Sequence, residues 1–216
     1  MDSNVLLYIG IVIFIVAMLA DRRGQFIQAL YRGFRTFPEL RNPRILVCAL
    51  EDSYTDLAEI DTGIYSRHFK RISTVQLHDL DELFDQLRKG CDILHLFCTV
   101  SEQGMIQGAD GLRPATDLLS ACDGSGVKVL LVANENPAKG YITGFKKGRS
   151  PLNLILTLQR KGDVFGKFFG ALFDEVLQGK TLPVAWVKLA PQIPRTEHQD
   201  VPETLFLTGQ AFKLIP

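Results

Sequence analysis

The chain has 216 residues, of which 46% are hydrophobic and 22% are charged, and its 24 basic and 24 acidic side chains leave no formal net charge. This composition is typical of a folded globular protein and excludes a disordered chain. Because no net charge attracts nucleic acid, we expect no DNA partner.

The first predicted element is a membrane anchor. Residues 5–20 form an uncharged apolar run of sixteen residues, which spans about 24 Å as a helix and is slightly shorter than a ~30 Å hydrocarbon core. Local thinning of the bilayer can absorb such a mismatch. A cleaved signal peptide is disfavoured, because Asp2 precedes the run where a basic residue would be expected. We therefore assign residues 1–22 to a single transmembrane helix.

A basic segment, residues 23–43, follows the anchor. Arg22, Arg23, Arg32 and Arg35 lie after the apolar run, and no Lys or Arg precedes it. The positive-inside rule then predicts an external N-terminus and a cytoplasmic C-terminal domain. The segment is either an amphipathic helix that lies against lipid headgroups or a simple basic linker.

The remaining residues, 44–216, are predicted to form one α/β domain. Short, continuously apolar runs alternate with amphipathic segments, which is typical of a Rossmann-like three-layer domain with a mainly parallel sheet. The predicted strands are 44–50, 72–77, 92–100, 127–133, 152–158 and 182–189, and the predicted helices are 79–89, 114–122 and 163–177. Residues 56–69 could form a helix or an irregular crossover, and residues 205–207 and 212–215 a small edge pair.

Polar residues follow several of these strands, where parallel sheets bind their ligands. The candidate ligand-binding residues are Asp52, Ser53, Thr99, Ser101, Asn134, Asn136, Lys139 and Arg160. The amides and the lysine after the fourth strand could hold a base edge and a phosphate, although the same residue types are common in surface turns. Arg160 precedes a predicted helix and could bind an anion there or lie in a solvated turn.

The motifs of several enzyme classes are missing from the sequence. Neither GxGxxG nor GxxxxGK[ST] occurs, so we expect no dinucleotide cofactor, and no GxSxG nucleophile motif is present. Cys48, Cys91, Cys98 and Cys122 lie in or near apolar runs and are interpreted as reduced core thiols. His95 lies within an apolar strand and is interpreted as a core histidine. We therefore predict no catalytic residue and no metal site.

Two segments resemble the caspase-like CHAT peptidases. Residues 92–100 (DILHLFCTV) and 129–135 (VLLVANE) resemble the strands that carry the catalytic histidine and cysteine in that family. Thr99 stands in place of the histidine, and Asn134 stands in place of the cysteine. The resemblance implies an inactive peptidase fold that recruits a protein partner to the membrane.

The arrangement of the whole chain resembles a second group, the CRISPR-associated membrane effectors that carry a CARF domain. That resemblance implies that Asp52, Ser53, Asn134, Asn136 and Lys139 bind a nucleotide second messenger of the cyclic oligoadenylate type. It further implies a homo-oligomer, dimer or tetramer, whose helices form a pore or leak in the bacterial inner membrane during antiviral defence. We take this non-enzymatic effector as the first hypothesis and the inactive caspase-like domain as the alternative.

Overall fold

The computed structural model describes residues 37–146, 150–160, 162–189 and 203–216. The chain divides into two compact units, Met1–Phe37 and Pro38–Pro216. The predicted anchor, residues 1–22, lies outside the described residues, as does most of the predicted basic segment. Within the described ranges, no helix has the length and apolarity needed to cross a membrane.

The second unit is built on a six-stranded sheet flanked by helices. Counting two smaller two-stranded sheets, the described part of this unit has the strands β1 (Glu39–Arg41), β2 (Arg44–Ala49), β3 (Arg71–Gln76), β4 (Ile93–Phe97), β5 (Met105–Gly108), β6 (Gly111–Pro114), β7 (Val129–Val132), β8 (Asn153–Gln159), β9 (Glu203–Leu207) and β10 (Lys213–Ile215). The central sheet has the order β3-β2-β4-β7-β8-β9. Its first five strands are parallel, and β9 is antiparallel to β8. The predicted, mainly parallel sheet is therefore confirmed.

Helices cover both faces of this sheet. They are α1 (Thr55–Ser66), α2 (Leu80–Arg88), α3 (Ala115–Ser125), α4 (Ala138–Gly144), α5 (Gly162–Leu177) and α6 (Leu182–Leu189). Alternate strand residues enter two separate hydrophobic clusters. Leu46 and Cys48 of β2 join the cluster that contains α2 and α3, whereas Ile45 and Val47 join the one that contains α1, α5 and α6. β2, β4 and β7 are almost wholly apolar because both of their faces are covered.

Helix α2 shows how local sequence signals set an element. The side chain of Asp79 accepts the backbone N–H of Glu82, which caps the helix start. Leu80, Leu83 and Leu87 are at most 1% exposed and recur at helical spacing. Burying each leucine contributes roughly 1.5–3 kcal/mol, so this stripe fixes α2 against the sheet.

The predicted sixth strand, residues 182–189, is wrong, because this segment forms helix α6. Leu182 and Ala185 are buried at helical spacing, while Val184 and Val187 are exposed. A short apolar run does not by itself distinguish a buried strand from a helix. Pro183 lies in the first turn of α6, where a helix tolerates proline.

The predicted pairing of residues 205–207 with 212–215 is also wrong. β9 pairs with β8, and β10 pairs in parallel with β1, which lies inside the predicted basic segment. Both pairings join residues far apart in the chain, so local patterns do not reveal them. The structure also contains a hairpin, β5–β6, and the short helix α4, which were not predicted, and it resolves residues 55–66 as helix α1.

Candidate functional site

Four side chains form a hydrogen-bonded row at the carboxyl edge of β2, β4 and β7. Thr99 Oγ1 donates to Glu51 Oε1 at 2.6 Å, and it lies 3.1 Å from Tyr54 Oη. Asn134 Nδ2 donates to Tyr54 Oη at 2.9 Å. Because the Thr99 hydroxyl has one proton, which Glu51 accepts, Tyr54 must be the donor to Thr99. The row therefore runs in one direction, from Asn134 through Tyr54 and Thr99 to Glu51.

Asn136 holds together the loops that follow β4 and β7. Its carbonyl oxygen accepts the backbone N–H of Val100 at 2.7 Å, and its amide donates to the Cys98 carbonyl at 3.1 Å and to Tyr141 Oη at 2.9 Å. The side chain is buried. Its hydrogen-bonding groups are therefore used within the protein, which gives Asn136 a structural role beneath the row.

The loop that contains Ser101 packs tightly against α4. Ser101 Oγ accepts the backbone N–H of Met105 at 3.2 Å. A Cβ atom at Gly140 would lie only 2.3 Å from the Ser101 carbonyl oxygen, so glycine is required at this contact. At the surface of this contact, Lys139 Nζ of α4 lies 2.9 Å from Glu102 Oε2 of the loop, and both side chains are exposed.

Arg160 forms a buried ion pair with Asp61 of α1. Two of its guanidinium nitrogens donate to the two Asp61 carboxylate oxygens, each at 2.7 Å. The guanidinium also lies 4.2 Å from the ring centroid of Phe165, and the Arg160 backbone N–H donates to Glu135 at 3.0 Å. The predicted anion-binding guanidinium is therefore engaged by a fully buried carboxylate.

His95 and Tyr65 lie on the other side of Asp61. Tyr65 Oη is 2.8 Å from His95 Nδ1, and His95 Nε2 is 3.2 Å from Asp61 Oδ2. Burial lowers the pKa of His95, and the neighbouring Asp61 carboxylate offsets only part of that shift. Burial also raises the pKa of Tyr65. Tyr65 therefore stays protonated. Because the Asp61 carboxylate faces Nε2 and favours the imidazole proton there, Nδ1 of the neutral ring accepts a hydrogen bond from Tyr65.

The Asp61 carboxylate stays charged in this setting. Burial alone would raise its pKa, but the hydrogen bond from Arg160 and the interaction with His95 outweigh burial and lower the pKa below its usual value. His95 is buried among aromatic rings and is part of this cluster, as the sequence interpretation of a core histidine requires. Its ring packs against Tyr65, Phe97 and Phe165.

All four cysteine thiols are free and buried. Burial raises the pKa of Cys91 to about 12 and raises the pKa values of Cys48, Cys98 and Cys122 further. Cys98 immediately precedes Thr99, but its side chain belongs to the core cluster that contains α2 and α3. None of these thiols is poised as a thiolate, the form in which cysteine acts as a nucleophile or a metal ligand.

The structure brings most of the predicted ligand-binding residues to one edge. Thr99 and Asn134 belong to the hydrogen-bonded row, while Asp52 and Ser53 are exposed in the 3₁₀ turn beside it. Whether these residues bind a ligand remains a prediction. Tyr54 was not selected from the sequence, although it lies in the polar segment after β2 and could have been chosen on the same criterion. Among the described residues, no group of three His, Cys, Asp or Glu side chains could hold a metal ion.

No protein-family model matches the chain, and no curated protein matches it. Among solved structures, the chain is similar to pro-Sf-caspase-1, with 11% sequence identity and a TM-score of 0.48 over 83% of this chain and 94% of that one. This neighbour is of the caspase-like type, as in the first of the two sequence resemblances. At this identity and TM-score, the likeness assigns neither an activity nor a ligand to the chain.

Proposed function

We propose that residues 38–216 form a non-catalytic binding domain, which recruits a protein partner at the carboxyl edge of β2, β4 and β7. The observation that carries the proposal is the row from Asn134 through Tyr54 and Thr99 to Glu51. In the CHAT resemblance, Thr99 and Asn134 occupy the positions of the catalytic histidine and cysteine. The Thr99 hydroxyl and the Asn134 amide, which are joined by hydrogen bonds through Tyr54, cannot form the thiolate–imidazolium pair of such an enzyme.

The four cysteines and His95 supply no substitute for that pair. The cysteine thiols are buried with raised pKa values, and His95 is neutral and packed between Tyr65 and Asp61. The side chains that could serve peptidase-type chemistry are therefore used in the core. This arrangement supports binding over catalysis at the edge.

The groups around the row are suited to a polypeptide ligand. Thr99 and Asn134 are partly exposed, and Asp52, Ser53 and Lys139 stand exposed beside them. Together they offer hydrogen-bond donors and acceptors and charges of both signs, which can pair with a peptide backbone and its side chains. With the predicted anchor in residues 1–22, such a domain would hold its partner at the membrane.

Site-specific photocrosslinking tests this proposal in the full-length protein in cells. A photoreactive side chain at Ser53, which is exposed beside the row, should label one discrete partner polypeptide. The matched control is position 124, where an added side chain meets no atom within 4 Å. Adding Asn134→Ala should reduce labelling from position 53 by about tenfold. Equal labelling from both positions, or labelling unaffected by Asn134→Ala, would contradict the proposal.

A second candidate function is the sensing of a nucleotide second messenger that leads to a membrane pore. Lys139 favours it, because its side chain is 71% exposed and forms a surface ion pair with Glu102. Such pairs contribute only about 0–1 kcal/mol, so a phosphate could displace Glu102. Calorimetric titration with cyclic and linear oligoadenylates should then show binding that Lys139→Ala weakens roughly tenfold and Lys146→Ala leaves unchanged. Absence of binding to the wild-type chain would eliminate this candidate.

A further inference from the structure

Strand β3 forms an open edge of the central sheet. Within the described part of the chain, β2 is the one strand that pairs with it. Its outer side therefore presents backbone N–H and C=O groups that another strand can pair with. This edge is separate from the hydrogen-bonded row at the carboxyl ends of β2, β4 and β7.

Among the described residues, β3 has few of the usual protections of an exposed edge, and its one charged side chain is Arg71 at its start. The strand pairs with β2 over six residues without a register shift, and it contains no proline. Residues 72–76 carry no charge, and Ile72, Thr74 and Val75 are β-branched residues that favour extended structure. By contrast, the register shifts between Thr157 and Gln159 where β9 joins the other side of the sheet.

Concave surfaces flank β3 on both faces of the sheet. One of about 310 Å³ lies beside α2 and is lined by residues that include Arg44, Arg71 and Lys89. The other, of about 420 Å³, lies beside α1 and is lined by residues that include Glu59 and Thr74. The side chains of an added strand would alternate between these two faces, so both have room for them.

Charge is polarised along this edge. α1 begins with Asp56 and Glu59, and Arg67 follows its end; α2 begins with acidic residues and ends with Arg88 and Lys89. Both helices return beside parallel strands, so their acidic starts lie near the carboxyl end of β3 and their basic ends lie near its amino end. Acidic residues at the start of a helix and basic residues at its end interact favourably with the helix dipole. Here the same distribution also gives the two ends of the open edge opposite charges.

We propose that the β3 edge pairs antiparallel with the β3 edge of a second copy of this chain. A two-fold axis then joins two six-stranded sheets into one continuous sheet. The antiparallel arrangement places the basic end of each edge against the acidic end of the other, whereas a parallel arrangement would place like charges together. Facing residues must lie on the same face of the sheet, so the two-fold axis passes through a residue and not between two residues. The middle residues of β3 are Ser73 and Thr74, and the axis therefore passes through one of them.

Disulfide trapping in the full-length protein tests this pairing. Residues directly opposite in antiparallel strands have Cβ atoms about 4.5–5.5 Å apart, so a cysteine on the axis is close enough to bridge to its own copy after a small adjustment. Under mild oxidation, Ser73→Cys or Thr74→Cys should give a disulfide-linked dimer on a non-reducing gel. Ser120→Cys, an exposed control on α3, should stay monomeric. The native cysteines are buried and give no background.

A lysine on the edge provides the second arm. In whichever cysteine variant crosslinks, a lysine at the other of positions 73 and 74 should reduce the dimer roughly two- to fivefold, because the two lysines are then diagonal neighbours about 7–8 Å apart on one face of the joined sheet. Both positions are exposed, and the hydrogen bond between the Thr74 and Thr62 hydroxyls lies at the surface, so these variants should change the melting temperature little. Asn134→Ala should leave the crosslink unchanged, which separates this proposal from the binding function. A monomer at both positions, crosslinking equal to that of Ser120→Cys, or a disulfide to a different protein would overturn the proposal.

Discussion

Replacing Arg160 with methionine should destabilise the domain by about 3–5 kcal/mol, because the change leaves a fully buried carboxylate without its cation. The side chain makes two hydrogen bonds of 2.7 Å to Asp61, and hydrogen bonds to charged groups contribute about 1.5–3 kcal/mol each. For a unit of about 180 residues, the loss corresponds to a melting temperature lower by roughly 6–20 °C. Fluorescence of Trp186, the single tryptophan, can follow unfolding, because its ring packs against Phe168 and Phe206.

Two controls decide what an Arg160 effect means. Lys139→Met removes an exposed cation and should change the free energy of unfolding by no more than about 0.5 kcal/mol. The double variant Asp61→Leu, Arg160→Met should recover most of the loss, since it removes both buried charges together. If Arg160→Met costs as little as Lys139→Met, the ion pair is not structural, and the guanidinium is free to bind a ligand.

Three further changes test other parts of the structure. The pKa of His95 is lowered in the folded state, so unfolded chains bind more protons than folded chains below about pH 6.5. The free energy of unfolding should therefore fall from pH 7 to pH 5. His95→Gln should flatten that fall in denaturant titrations. Gly140→Ala should destabilise the domain by more than about 1 kcal/mol, because its Cβ would meet the Ser101 carbonyl. Gly124→Ala, at an open helical position, should stabilise the domain by up to about 1 kcal/mol. Equal melting temperatures for the two variants would refute the contact. Asn136→Ala should cost about 1–3 kcal/mol by leaving the buried Val100 N–H unpaired, and a neutral result would show that the two loops are held by other contacts.

The sequence predicted the sheet well because its strands have a simple signature. β2, β4, β7 and β8 are continuous apolar runs, and this pattern follows directly from burial on both faces. Segment 182–189 has a similar composition but is a helix, because the burial of Leu182 and Ala185 depends on what α6 packs against. Composition alone does not contain that information.

The site was predictable in position but not in its connections. Thr99 and Asn134 follow parallel strands, so topology places them at one edge, and the structure joins them through Tyr54. The pair of Arg160 with Asp61 connects residues 99 positions apart, and no local pattern marks such a contact. The sequence left Arg160 open to an anion site or a solvated turn, and in the structure its guanidinium pairs with Asp61.

The proposal of a non-catalytic domain is tested most directly by the reactivity of its thiols. In the native full-length chain, the account predicts that all four cysteines are alkylated only as fast as the protein unfolds, because burial shields them and raises the pKa of each thiol. The cysteine of Asn134→Cys, at a partly exposed position, should react at least a hundredfold faster than the native thiols. This variant serves as the control that the reagent reaches the edge. One native thiol that reacts as fast as Asn134→Cys would contradict the account and point to a nucleophilic cysteine.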